Sequence, residues 1–379
     1  MAASAPHDPP FRADHVGSLL RPPELLKARA DLTAGAITPA DLKRIEDESI
    51  RGAVAFQESV GLRSITDGEY RRDVFYADFF CRGLGGVTIA YDPSAIDEQF
   101  FIDRAGHKLP IIVPRVTQRM RWREPIHVGD FDFLRGLTSR MPKLTIPSPT
   151  IIHFRAGRAN ISRDAYPDLD LFWDDIVEAY RREFAALAAA GCRYVQIDET
   201  TLASLSDRRS WEAMRKRGDD GRKLLLETYP EIMNRAFAGR PQSIHLAMHI
   251  CRGNNQSHWS AEGGYDLVAD TLFNRIDVDS YFLEYDTPRA GSFEPLRMVP
   301  RNKTVALGLV SSKFPELETK DALKRRIDEA AKYIDLERLA ITPQCGFAST
   351  APGNKITPEQ QAAKLRLVVE VAREVWGGE

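Results

Sequence analysis

The most chemically loaded stretch of this 379-residue chain is Ser243–Cys251, SIHLAMHIC. Read as a strand, it places His245, Ala247, His249 and Cys251 on one face and Ile244, Leu246, Met248 and Ile250 on the other. The apolar set can pack against helices, leaving the imidazole and thiol to point inward. His249 and Cys251 stand two apart at the end of the run, so both can reach one tetrahedral metal. Glu284 ends the next run, FLEYD, and Cys345 the last, ITPQCGF. One nitrogen, two thiolates and a carboxylate from three strand ends would suit Zn²⁺. An H-x-C pair alone is more often a buried core pair; the Glu and Cys at two further strand ends favour ligation. His245, deeper in its strand, reads as a satisfied interior histidine. Cys81 and Cys192 have no ligand-type neighbours and read as small buried hydrophobes.

These ligand types also point to a reaction. A free thiol, with a pKa near 8.5, is mostly protonated at neutral pH, and a bound metal lowers that value. Two thiolates and a carboxylate outweigh the charge of a divalent ion, so a bound substrate thiolate would keep its electron density. Metal sites that hydrolyse use neutral ligands to activate water. The set therefore favours sulfur alkylation. Four protein ligands usually mark a closed, structural zinc, but a carboxylate such as Glu284 is the most easily displaced.

Eight β-branched runs can position these groups: His15–Leu19, Arg63–Thr66, Lys143–Pro147, Arg193–Asp198, Ser243–Cys251, Asp279–Tyr285, Thr304–Val310 and Arg338–Thr342. Helical patterns separate most of them. The clearest begins with the capping box Thr357-Pro358-Glu359-Gln360 and continues with Leu365, Val368, Ala372 and Val375 on one face. The alternation predicts an α/β fold, a (β/α)8 TIM barrel with its chemistry at the C-terminal strand ends. An open doubly wound sheet would show a Gly-rich phosphate loop after its first strand, where this chain has Leu19-Leu20-Arg21-Pro22-Pro23. Residues 1–12 read as a flexible arm and 13–379 as one catalytic domain. An insertion at about 87–140 falls between strands 2 and 3, with extended pieces at Val87–Tyr91, Gln99–Ile102 and Ile111–Thr117.

Six motifs occur in order at strand ends: HVGSLLRP, TDGEYRRD, VQIDE, HICRGN, YFLEYD and PQCGF. In them the chain resembles the catalytic barrel of the cobalamin-independent methionine synthases, above all their short single-barrel relatives, from about Phe11 to Trp376. The resemblance implies a zinc-dependent S-methyltransferase that converts homocysteine to methionine, with His249, Cys251, Glu284 and Cys345 binding the zinc. It also implies that Glu69 and Asp198 bind the ammonium of the amino-acid thiol and that Ser18 lies against its carboxylate. Asp198 alternates inward with Tyr194 and Gln196, which fits a site role. His258 and Trp259, after HICRGNNQ, could line the electrophile's pocket, and Glu199 could support Asp198. Full-length synthases carry a histidine on the seventh strand that protonates the leaving group. Here ALGLVSSKF places Lys313 there, a candidate catalytic acid that leaves the donor open between methyl-folate, which needs a proton, and a corrinoid, which does not. Other members of the family act on electrophiles such as epoxides. A purely structural zinc is the non-enzymatic alternative.

Composition narrows the partners. With 52 Lys and Arg against 54 Asp and Glu, the formal charge is −2, which argues against nucleic acid or an anionic membrane as the main partner. No run reaches 18 apolar residues, and four cysteines in this context suit a cytoplasmic chain. A homodimer is compatible with the sequence.

Overall fold

The computed structural model describes residues 9–91, 100–110 and 112–377. Seven of the eight β-branched runs contain a strand, and the full order is β1 Ser64–Ile65, β2 Val87–Tyr91, β3 Phe100–Ile102, β4 Lys108–Pro110, β5 Ile112–Val116, β6 Met141–Pro142, β7 Leu144–Pro147, β8 Tyr194–Glu199, β9 His245–Ile250, β10 Ser280–Glu284, β11 Thr304–Val310 and β12 Leu339–Pro343. Strands β7 to β12 form a six-stranded sheet in sequential order, each neighbour parallel. Sequential parallel order needs a crossover between strands, and helices such as Leu169–Ala189 and Lys320–Ala330 supply it.

The expected strand Lys143–Pro147 appears as β7, and β6, just before it, pairs in parallel with β1. The expected first strand, His15–Leu19, is not regular. Its segment makes a single parallel bridge, Ala13 to Ile341 on β12, and then turns through Gly17 at φ 135°. Side chains connect this segment to β1: Ser64 Oγ donates to Asp14 at 2.6 Å and Thr66 Oγ1 to the Gly17 carbonyl at 2.7 Å. The arm expected over residues 1–12 also needs correction where it can be seen. Phe11 and Arg12 are buried, and Arg12 donates to the Leu339 carbonyl, tying the chain start to β12; residues 1–8 lie outside the described ones.

Alternation sorts the side chains as expected. Leu246, Met248 and Ile250 join the large core between sheet and helices, whereas Ala247 joins Val16, Tyr194, Phe282, Ala306 and Ala340 in a smaller cluster on the sheet's other face. The last helix, Pro358–Trp376, starts at the Thr357–Gln360 capping box. Between β1 and β6, β2 pairs antiparallel with β5 and β3 with β4. The Gln99 and Ile111 ends of the expected extended pieces lie outside the described residues. Ile102 forms an antiparallel bridge to Trp259, which fastens the β3–β4 hairpin to the loop after β9.

Candidate active site

The C-terminal ends of β8, β9 and β12 bring the chemistry together. His249, the fifth residue of β9, and Cys251, just past its end, are joined by Cys345 two residues after β12. One ligand atom from each lies within 4.8 Å of the others, and all three residues are buried. The sulfurs of Cys251 and Cys345 are 3.3 Å apart. Their contact polarises the pair: the hydrogen bond from Cys251 holds Cys345 well below the ordinary thiol range, and the same bond with burial pushes Cys251 well above it. Burial alone would lower the pKa of His249, yet Cys345, Asp198 and Glu284 raise it. Neither ring nitrogen of His249 has a hydrogen-bond partner among the described residues. A buried imidazole that the Cys345 thiol approaches without saturating its nitrogens, beside two thiols that share a charge, fits a thiophilic divalent cation such as zinc.

Glu284 does not join this group of three. Its Oε2 accepts the Arg252 N–H at 3.1 Å, and its Oε1 pairs with Arg289 at 2.5 Å. Burial works to raise its pKa, but Lys313, Arg289 and Arg252 hold it ionised, at about 2. The fourfold ligand set expected from the sequence is therefore three residues brought together and a fourth held back by two arginines. Lys313 is buried to 1% exposure, and its Nζ has no hydrogen-bond partner among the described residues. It acts on Cys251, Cys345 and Glu284 through its charge. That burial shows that Lys313 is not a solvated rim residue.

Glu69, Asp198 and Ser18 line the same cavity as His249, Cys251 and Cys345. Asp198 accepts from Gln196 Nε2 at 2.7 Å; its pKa rises to about 7, first through burial and then through the charge of Glu69. Glu69 accepts from Thr145 Oγ1 at 2.9 Å, has Arg72 at 3.6 Å, and is also shifted upward by burial. Its backbone sits at φ 59°, a left-handed conformation that costs a non-glycine residue about 1–2 kcal/mol. Two glycines bring the Ser18 segment in. A Cβ on Gly17 would lie 2.7 Å from Thr145 Cγ2, and one on Gly346 would lie 1.9 Å from Ser18 Oγ.

Other expectations resolve as structure. Glu199 accepts from Thr201 and Leu202 at the start of the next short helix. His258 and Trp259 do not line the cavity: His258 Nδ1 meets the Gln256 carbonyl at 2.8 Å, and Trp259 donates to Glu262. His245 meets Ser280 Oγ at 2.8 Å, a satisfied histidine. Burial pushes the thiols of Cys81 and Cys192 up to about 11 and 12, which makes them poor nucleophiles. Sequence reasoning missed Arg155, which lines the cavity; the signal was a permanent cation in the otherwise apolar or neutral run TIIHFRA after β7.

Residues 11–374 match the family model described as the catalytic domain of cobalamin-independent synthase. The uncharacterised Bacillus subtilis protein YxjG is 43% identical over 97% of this chain and 95% of its own length. A methionine synthase from Saccharolobus solfataricus is 25% identical over 88% of this chain and 86% of its own length. Among solved structures, a Listeria monocytogenes protein provisionally assigned as a vitamin-B12-independent methionine synthase is 33% identical, with a TM-score of 0.75 covering 98% of this chain and 99% of the other. The chain belongs to the cobalamin-independent methionine synthase family, a family of methyltransferase-like enzymes.

Proposed function

We propose that this protein is a zinc-dependent methyltransferase that converts homocysteine to methionine. The observation that carries the reading is a single cavity joining paired carboxylates, Glu69 and Asp198, to the His249–Cys251–Cys345 cluster. His249, Cys251 and Cys345 would hold the zinc, with Glu284 as a fourth residue available when Arg289 and Arg252 release it. Bound there, zinc would supply a Lewis-acidic centre that keeps a substrate thiol ionised at neutral pH.

The chain's own residues account for recognition. With no ligand, burial and the charge of Glu69 together raise the pKa of Asp198 to about 7. An ammonium between them removes the repulsion, so both can ionise and hold the amino acid by charge-assisted hydrogen bonds. Ser18 bounds the same cavity from the first segment, where the substrate carboxylate would lie. A sulfonate thiol would be repelled by the same pair. Lys313, buried with no partner for its Nζ among the described residues and near enough to act on Cys251 and Cys345 through its charge, is the proposed source of the proton that the leaving nitrogen of methyl-folate needs.

Methyl-folate is the proposed donor, with methylcobalamin the competing one. We also propose that the strands close as a (β/α)8 barrel, its seam running between the Ala13 and Ser64 segments. Four unbridged cysteines support a cytoplasmic setting. Zinc-loaded protein given homocysteine and either donor, scored for methionine, tests the reading. Methionine from methyl-folate supports it, methionine from methylcobalamin alone overturns the folate assignment, and methionine from neither overturns homocysteine methylation.

A further inference from the structure

Arg155 closes the short helix Ile151–Ala156 that follows β7. It is 8% exposed and lines the cavity, yet its guanidinium makes no hydrogen bond or ion pair with any described residue. A guanidinium carries five N–H donors, and burying such a charge without partners is costly. Burial lowers its pKa, and the opposing pull of Tyr76, Cys251 and Glu199, set against Arg217, does not restore it. The contrast with Arg72 is direct. That arginine, more deeply buried, donates to Thr145 and pairs with Asp78 at 3.1 Å.

The surroundings of Arg155 also differ from those of the carboxylate pair. Its guanidinium lies over Phe101 of β3, 6.0 Å from the ring centre, and over Phe154 at 5.4 Å. Tyr76, Phe75 and Ile112 continue an apolar wall on this side. Cys251 and Glu199 are among the groups that act on its charge, whereas those acting on Asp198 are Glu69, His249 and Arg72. The cavity thus has an acidic half, suited to an ammonium, and an aromatic half with one unpaired cation.

We infer that Arg155 is the anion anchor for the second substrate: the methyl donor carries a carboxylate or another oxyanion beside an apolar body. The inference rests on the two-substrate transfer proposed above. A guanidinium recognises such a group through parallel N–H···O bonds, which a lysine reproduces only in part.

The test uses zinc-loaded protein saturated with homocysteine, titrated with phenylacetate or its neutral isostere phenylacetamide. The parent should bind phenylacetate at least about tenfold tighter. Arg155→Met should erase that preference, leave homocysteine affinity unchanged and melt no lower than the parent, because it removes an unpaired buried charge. Arg155→Lys should retain part of the preference. An equal affinity of the parent for both probes, or a preference that survives Arg155→Met, overturns the anchor. Competition between phenylacetate and homocysteine also overturns it, by assigning Arg155 to the thiol's own carboxylate. If the parent fails to bind homocysteine but still prefers phenylacetate, the homocysteine reading falls and the anion anchor stands.

Discussion

At the N-terminal ends of the strands, Asp14, Ser64, Lys143 and Tyr194 form one buried polar cluster; at the C-terminal ends, Glu69, Asp198, His249 and Lys313 belong to another. In the first, Asp14 Oδ1 accepts from Ser64 at 2.6 Å and Lys143 at 3.2 Å, while its Oδ2 accepts from Tyr194 at 2.8 Å. Lys143 also donates to the His15 carbonyl at 2.6 Å and stands 4.1 Å from the centre of the Phe282 ring. In the second, both nitrogens of His249, Nζ of Lys313 and Oε1 of Gln196 lack partners among the described residues. Similar residue types at similar depth thus serve two ends. A cluster whose donors and acceptors all meet one another holds the fold together, whereas one left incomplete is built to be completed by a ligand.

The sharpest way to separate the ends is to remove a sulfur. Cys251→Ser should abolish bound zinc and lower methyl transfer by more than about a thousandfold, with thermal unfolding close to the parent's. Metal analysis and a melting curve check both parts, and a large drop in melting temperature would show that the sulfur cluster also holds the fold. Cys81→Ser should keep metal and activity.

The converse change is Lys143→Met, which strands Asp14 in the interior. Breaking a buried pair from one side costs about 3–5 kcal/mol, so urea unfolding should show a loss of that size. Activity per folded molecule should be retained. A variant as stable as the parent would remove the distinction between the two clusters.

Protonation breaks the same cluster more gently. Burial, helped by the charge of Lys143, lowers the pKa of His15 to about 4. Between that value and the ordinary 6.5 the unfolded chain binds the extra proton and the folded one does not, so stability falls as pH drops through this window. The loss attributable to His15 should reach about 3 kcal/mol by pH 4. His153, also lowered to about 4 by burial, adds a loss of the same sign. Unfolding free energies for the parent and His15→Asn between pH 4 and 7 measure the difference; identical slopes would exclude the His15 contribution.

The smallest expected effect concerns recognition. Asp198→Asn should raise the KM for homocysteine or lower turnover by about tenfold or more, with stability unchanged or improved, because one of two repelling carboxylates is gone. If Asp198→Asn and Glu69→Gln both match the parent, the acidic half does not hold an ammonium.

How far the sequence reveals this division depends on how local each signal is. Alternation within SIHLAMHIC placed His249 and Cys251 correctly, because a strand's period alone decides which side chains share a face. The parallel β7–β12 order was likewise legible from alternating strand and helix patterns. The first strand was not, since Ala13 pairs with Ile341 more than 300 residues away and the Gly17 turn interrupts the run. The contacts of Glu284 were not legible for a similar reason: Arg252 and Arg289, on other segments, meet its carboxylate. Arg155 was overlooked because its significance is a missing partner, and spacing in a sequence cannot report what fails to meet a side chain.

Tyr194 and Asp198 begin and nearly end one strand, β8. Four residues of extended chain separate them by roughly 13 Å, with Gln196 between them bonded to both Asp198 and the Val16 carbonyl. In evolutionary terms this spacing uncouples two selective pressures. A lineage can exchange Asp198, Arg155 or the residues around Phe101, and so try new thiols and new donors, while the Asp14–Lys143–Tyr194 end continues to guide the chain into the same shape. Such changes are judged by what the variant can bind and transfer, since the variant still folds.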